Sequence, residues 1–140
     1  VNTAHAWQTK TEDDRLEDAL HDWGQWKSAW RDSGGSSAAM ISPVFRDVRS
    51  GYQTCVELLS PALRDLVVRV DAAIDDLRRH DRRQWIVVHW EYAPPIDHRR
   101  GAVVWAANGL PPRGSGEYAD LLQLARAGVL DGLRARDVIL

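Results

Sequence analysis

The chain has one cysteine, one methionine and one phenylalanine among its 140 residues. A lone Cys55 rules out an intramolecular disulfide and any zinc ribbon or finger built on several cysteines, and a reducing compartment suits it. No apolar run approaches the roughly 18 residues a membrane helix needs. The polar start VNTAHAWQTKTEDD also lacks the apolar centre of a signal peptide. The expectation is a soluble cytoplasmic protein with no membrane partner. Bulk positive charge is missing too, since the formal net charge is -2. Non-specific nucleic-acid affinity comes mostly from phosphates neutralised by Lys and Arg, so such a chain should bind nucleic acid weakly or with help. The bases are unevenly placed. Residues 1 to 63 hold nine acids and six bases, whereas 99 to 140 hold six arginines and four acids.

What is present is the make-up of a folded protein: 44% apolar and 27% charged residues, with seven tryptophans. Apolar residues recur at helical spacing. From 12 to 32 the stripe is Leu16, Leu20, Trp23 and Trp30, with Lys27 on the same spacing and Ala19 and Trp26 beside it. An acidic first turn suits the helix dipole. Gly24 inside this pattern costs about 1 kcal/mol relative to alanine, and so suggests a close approach of another element or a helix boundary. The run SGGSS ends the helix, and 33 to 59 read as a linker with one short helix at Tyr52 to Leu59. Ser60 and Pro61 then form a start signal, a capping hydroxyl followed by proline at the first helical position. Leu63, Leu66, Val67, Val70, Ile74 and Leu77 carry a helix to about Arg79, a break at His80 and Asp81 follows, and DRRQWIVVHWEY makes another. Pro94 and Pro95 stop it. Asp97 caps HRRGAVVWAA, and Asn108 with Gly109 form a left-handed end. After a loop at Pro111, Pro112 and Gly114, Ser115 caps a last helix with the stripe Tyr118, Leu121, Leu122, Ala125, Val129 and Leu133. The predicted fold is all-α: an arm at 1–11, then one helical domain at 12–140. Its parts are a first helix at 12–32, a linker at 33–59, a helical core at 60–92 and a helix-turn-helix at 97–134.

Chemistry is hard to place on this pattern. His80, His89 and His98 are nine residues apart, a spacing that serves neither a helix turn nor a zinc motif. The pairs Asp13–Asp14 and Asp75–Asp76 read as solvated faces and not as acid–base pairs. Cys55 has no nucleophile signature around it, and GSG at 114 to 116 follows prolines and lacks a following lysine. The expectation is a protein that is not an enzyme and uses no cofactor or metal.

Three helices at the end of the chain stand in the order of a helix-turn-helix, in which the last would enter the major groove by its N-terminus. Three blocks add a resemblance: LEDALHDWGQW with its Trp-Gly-x-Trp unit, VDAAIDDLRRHDRRQWIVVHWEY ending in His89-Trp90-x-Tyr92, and RGSGEYADLLQLARAGVLDGL. Together they resemble the zinc-free class of lambdoid-phage Q antitermination proteins, and the latter half is similar to the helix-turn-helix of sigma factor region 4. The resemblance implies a late-gene regulator in the host bacterial cytoplasm. Such a factor binds a DNA element at the late promoter, in one copy or two, and loads onto RNA polymerase paused with its sigma factor. It then modifies the RNA exit channel so that terminators are read through. Its partners would be bacterial RNA polymerase, promoter-proximal duplex DNA and nascent RNA. The alternative class is a polymerase-binding inhibitor or helical adaptor without specific DNA binding.

The candidate DNA-binding residues are Arg99, Arg100, Arg113, Ser115, Glu117 and Arg126. Arginines 99 and 100 oppose the dipole at a helix start and so call for phosphate or another reason to be there; their bland reading is a solvated helix start. Ser115 and the first amides of the last helix could add a phosphate contact. Glu117 and Asp120 repel phosphate, though a carboxylate can accept from cytosine N4. Arg78, Arg79, Arg82 and Arg83 alternate with Asp75, Asp76 and Asp81. Two readings stay open for them, a mixed-charge surface joint and a contact with nucleic-acid backbone or polymerase. Trp23, Trp30, Trp85 and Trp105 are expected in the core, and Trp7 is either a partner anchor or part of a loose arm.

Overall fold

A computed structural model of the chain describes residues 10–32, 60–94 and 98–140; the side chains of 30–32 and 98 are outside that description. The expected short helix at 52–59, the Asp97 cap, Trp7 and the Trp30 side chain therefore lie outside the described residues. Within them there are five α-helices and no strand: α1 (Glu12–Asp32), α2 (Pro61–His80), α3 (Arg82–Tyr92), α4 (His98–Ala107) and α5 (Gly116–Ala135). The run Ile86-Val87-Val88 is helical despite its β-branching because all three side chains are buried.

Local chemistry sets the helix ends. Thr11 and Asp14 exchange hydrogen bonds, backbone amide to side chain in each direction at 3.2 and 3.1 Å, which closes the start of α1. Ser60 Oγ accepts from Leu63 N at 3.2 Å with Pro61 in the first turn. A single extended residue, Asp81, ends α2 and starts α3. Its amide donates to Leu77 O, while its carboxylate accepts from Arg83 N at 2.9 Å. The break expected at His80 and Asp81 is thus one residue wide, and it forms a sharp corner.

Helix α5 lies across both arms of that corner. Its start is beside the end of α3, where the Tyr118 hydroxyl donates to Glu91; Gly128 faces Leu77 and Gln84 at the corner itself; Gly132 rests on Ala73 of α2. Helix α1 covers the other side. Trp23 is fully buried, donates from Nε1 to Asp71 at 3.0 Å and meets the His89 ring edge-on at 4.9 Å. Leu20, Val70, Ile74, Val87 and Val129 complete a core with almost no solvent contact. Each such aliphatic side chain contributes about 1.5–3 kcal/mol by leaving water. Gly24 permits the closest helix approach: a Cβ there would stand 2.1 Å from the Tyr92 carbonyl oxygen. Of the two sequence readings of this glycine, close approach is the one the fold uses, and α1 continues through it to Asp32.

Candidate nucleic-acid interface

Helix α4 stands apart from this core and is attached mainly through one side chain. The Trp105 ring lies 4.9 Å from Trp90 and 5.7 Å from Tyr118, and its Nε1 donates to Pro111 O at 3.0 Å. Its carbonyl accepts from Leu110 N, and that bond folds the chain back at the end of α4. Gly109 makes the turn possible with φ +62°, in the left-handed region that a Cβ disfavours, and Leu110 is buried just after it. Among the described side chains, the other large ones of α4 face outward. Val103 is 68% and Val104 41% exposed. Arg99 and Arg100 are exposed in the first turn, each one helical turn before a valine.

The loop from 108 to 115 carries Arg113, which is exposed, lies over the Trp90 ring at 5.9 Å and sits 3.7 Å from Glu91. Ser115 caps α5 by accepting from Tyr118 N at 3.1 Å, while its hydroxyl donates to Pro112 O at 2.7 Å. That hydroxyl already has two protein partners. Glu117 is exposed in the first turn of α5, with Asp120 one turn on. Arg99, Arg100 and Arg113 are therefore on the surface around α4, while Glu117 and Asp120 give the exposed start of α5 a negative character.

Arg126 is elsewhere. It is 9% exposed and enters a polar cluster between three helices. One guanidinium nitrogen donates to Glu17 and to the Tyr92 hydroxyl, and the other donates to the backbone oxygen and carboxylate of Asp13. Tyr92 in turn donates to Glu17 at 2.6 Å, and His21 lies 3.2 Å from the other Glu17 oxygen. Arg126 holds helices together here, so in this fold it presents no guanidinium to a duplex. Position 126 follows the stripe residue Ala125 and sits one turn after Leu122, an edge position that periodicity leaves ambiguous. Glu17 and Tyr92, its partners, carried no sequence signal of pairing. Among the described residues, no group of three His, Cys, Asp or Glu side chains is arranged to hold a metal ion. No described helix is long and apolar enough to cross a membrane.

The chain matches no protein-family model, no curated protein and no solved structure. The functional reading therefore stands on the residues and their placement.

The two tyrosines beside these clusters give a pH dependence. Burial pushes the Tyr92 hydroxyl pKa well up, with the charges of Glu91 and Asp13 adding to it; burial and then the bond to Glu91 do the same to Tyr118. A folded-state pKa above the unfolded value of about 10 favours the folded protein fully below pH 10, and that advantage is lost as pH rises. Urea stability should fall above pH 10 by up to about 1.4 kcal/mol per pH unit for each tyrosine. Tyr92→Phe and Tyr118→Phe should each flatten that slope; an unchanged slope in both variants would show that other groups cause the fall.

Proposed function

We propose that this protein is a phage transcription antitermination factor of the zinc-free Q kind. It engages promoter-proximal duplex DNA through its phosphates and acts on host RNA polymerase paused with sigma, so that terminators are read through. The observation that carries this reading is the corner formed by α4, its left-handed Gly109, buried Leu110 and the Ser115-capped α5, with Arg99 and Arg100 exposed at the start of the leading helix. The order of helix, turn and helix supports reading this part as a helix-turn-helix, in which the first helix would cross the DNA backbone. The three sequence blocks support the same family. The loop of eight residues between α4 and α5 is longer than the three or four of a tight helix-turn-helix. With Arg126 buried and Glu117 and Asp120 at the exposed start of α5, base reading by that helix has little support. Arg99, Arg100 and Arg113 are the residues assigned to phosphate.

The second reading, a polymerase-binding inhibitor or adaptor without specific DNA binding, draws on Val103 and Val104. Exposed valines beside arginines suit a protein surface better than a sugar–phosphate backbone. Two assays separate the readings. In a gel shift on the cognate late-promoter duplex, with and without polymerase, Arg99→Glu combined with Arg100→Glu should abolish the shift; a wild-type protein that shifts the duplex in neither condition excludes the first reading. In transcription through an intrinsic terminator downstream of that promoter, the protein should raise read-through. Unchanged termination together with polymerase binding would leave the adaptor.

A further inference from the structure

At the corner between α2 and α3, four arginines fall within six positions: Arg78 and Arg79 in the last turn of α2, Arg82 and Arg83 in the first turn of α3. All four are exposed. In sequence they alternate with Asp75, Asp76 and Asp81, and that alternation permits mutual neutralisation. The fold breaks it. Asp76 makes its close ion pair with Arg136 at the end of α5, at 2.6 Å, and stands 3.9 Å from Arg79. Asp81 accepts from Arg83 N and, at 3.4 Å, from the Gln84 side chain, so its carboxylate serves the helix cap. Asp75 stays with a local arginine, Arg78, at 3.5 Å, and Arg78 also lies over the Trp85 ring at 5.9 Å. Among the described residues, neither Arg82 nor Arg83 has a carboxylate partner for its side chain. The corner therefore presents more guanidinium than carboxylate charge.

The position of Arg82 and Arg83 is also locally unfavourable. A helix N-terminus carries partial positive charge, and acids there stabilise while bases do not. Two adjacent arginines at this point work against α3, so a role outside the fold accounts for them better than stability does.

We infer that the α2–α3 corner is a phosphate-binding site for the backbone of a nucleic-acid strand, with Arg82 and Arg83 as its main contacts and Arg79 and Arg78 beside them. Guanidinium forks match phosphate oxygens in pairs, and closely spaced arginines suit the repeated charge of a polynucleotide. The site lies at the opposite end of α3 from α4, about 16 Å away along an axis of 11 residues. It is thus separate from Arg99 and Arg100, and it does not depend on the antitermination reading.

The test is fluorescence anisotropy on the full chain, with labelled oligouridine and, in a second arm, a labelled duplex of arbitrary sequence, between about 50 and 200 mM salt. Arg82→Glu combined with Arg83→Glu should weaken binding at least about tenfold on one or both probes. The slope of log affinity against log salt should become shallower by about 1.4 for the single strand or 1.8 for the duplex. The arm that responds identifies the strand type. Because glutamates suit the N-terminus of α3, this variant should melt no lower than the wild type, so loss of fold cannot mimic loss of the site. Wild-type affinity in the Arg82/Arg83 variant on both probes, or no measurable wild-type binding at the lowest salt, would overturn the site. The measurement uses neither promoter nor polymerase, so its failure is distinct from a failed read-through assay.

Discussion

Replacing Arg126 by Met should lower the free energy of unfolding by about 2–3 kcal/mol. Removing one partner of a buried ion pair commonly costs about 3–5 kcal/mol, because the other charge stays behind without compensation. Here the figure is discounted, since Glu17 is 38% exposed and Asp13 69% exposed, and water screens part of what is lost. Methionine fills much of the vacated volume, so the loss reports on polar pairing more than on a cavity. Urea unfolding checks it. Adding Glu17→Gln should recover part of the loss, as a coupling energy above about 0.5 kcal/mol in the double-mutant cycle. Arg126→Lys should restore little, because one ammonium cannot reach Glu17, Tyr92 and Asp13 as a planar fork does. A cost below about 0.5 kcal/mol for Arg126→Met would mean that the side chain is solvated and open to a ligand after all.

The second large effect has opposite expected signs under two readings of the same residue. On a solvent-facing stretch of α1, Gly24→Ala would stabilise by about 1 kcal/mol through helix propensity. In this fold the added Cβ meets the Tyr92 backbone carbonyl, and the side-chain Cβ of Tyr92 lies 3.2 Å away. Backbone at the end of α3 has no rotamer to yield, and α1 is fixed nearby by Trp23 on Asp71 and by the Glu17 cluster. Gly24→Ala should therefore destabilise by about 2–3 kcal/mol, at the upper part of the range for overpacked cores. Thermal unfolding with an unchanged or raised midpoint would disprove the contact between α1 and α3.

The two expectations bear on function through the same elements. Arg126 and Gly24 set how α1 seats on α3 and α5, and so the frame that carries the α2–α3 corner and the Trp105 attachment of α4. Neither residue touches the proposed phosphate contacts. A variant at either should lose stability first and nucleic-acid affinity only as it unfolds.

Much of the fold was legible because its signals are local. Ser60 with Pro61, Asn108 with Gly109, and Ser115 each act within about four residues of a helix end, where the unsatisfied amides and carbonyls are. The stripes from Val67 to Leu77 and from Leu121 to Leu133 are one-face periodicities, which a 3.6-residue repeat exposes in any sequence. In α3 the consecutive residues Ile86, Val87 and Val88 are all buried, so periodicity cannot mark one face of this short helix. The candidate site was legible only in part. Exposure of Arg99, Arg100 and Arg113 followed from their place at a helix start and in a loop, whereas Arg126 did not, because an edge position faces inward or outward according to what packs beside it.

By itself the sequence determined an all-α chain, where most of its described helices begin and end, and that its basic residues gather in short runs and not over a broad surface. These are properties of spacing and capping, which depend on neighbours a few residues away. Tertiary structure alone decided which carboxylate each arginine meets. Asp13 and Glu17, more than a hundred residues from Arg126, hold it inside, and Arg136 takes the closer share of Asp76, which Arg79 meets at 3.9 Å. Ion pairing falls off with distance in space and takes no account of distance along the chain. The same letters that read as a neutralised Asp–Arg alternation thus fold into a corner where, among the described residues, Arg82 and Arg83 meet no carboxylate with their side chains.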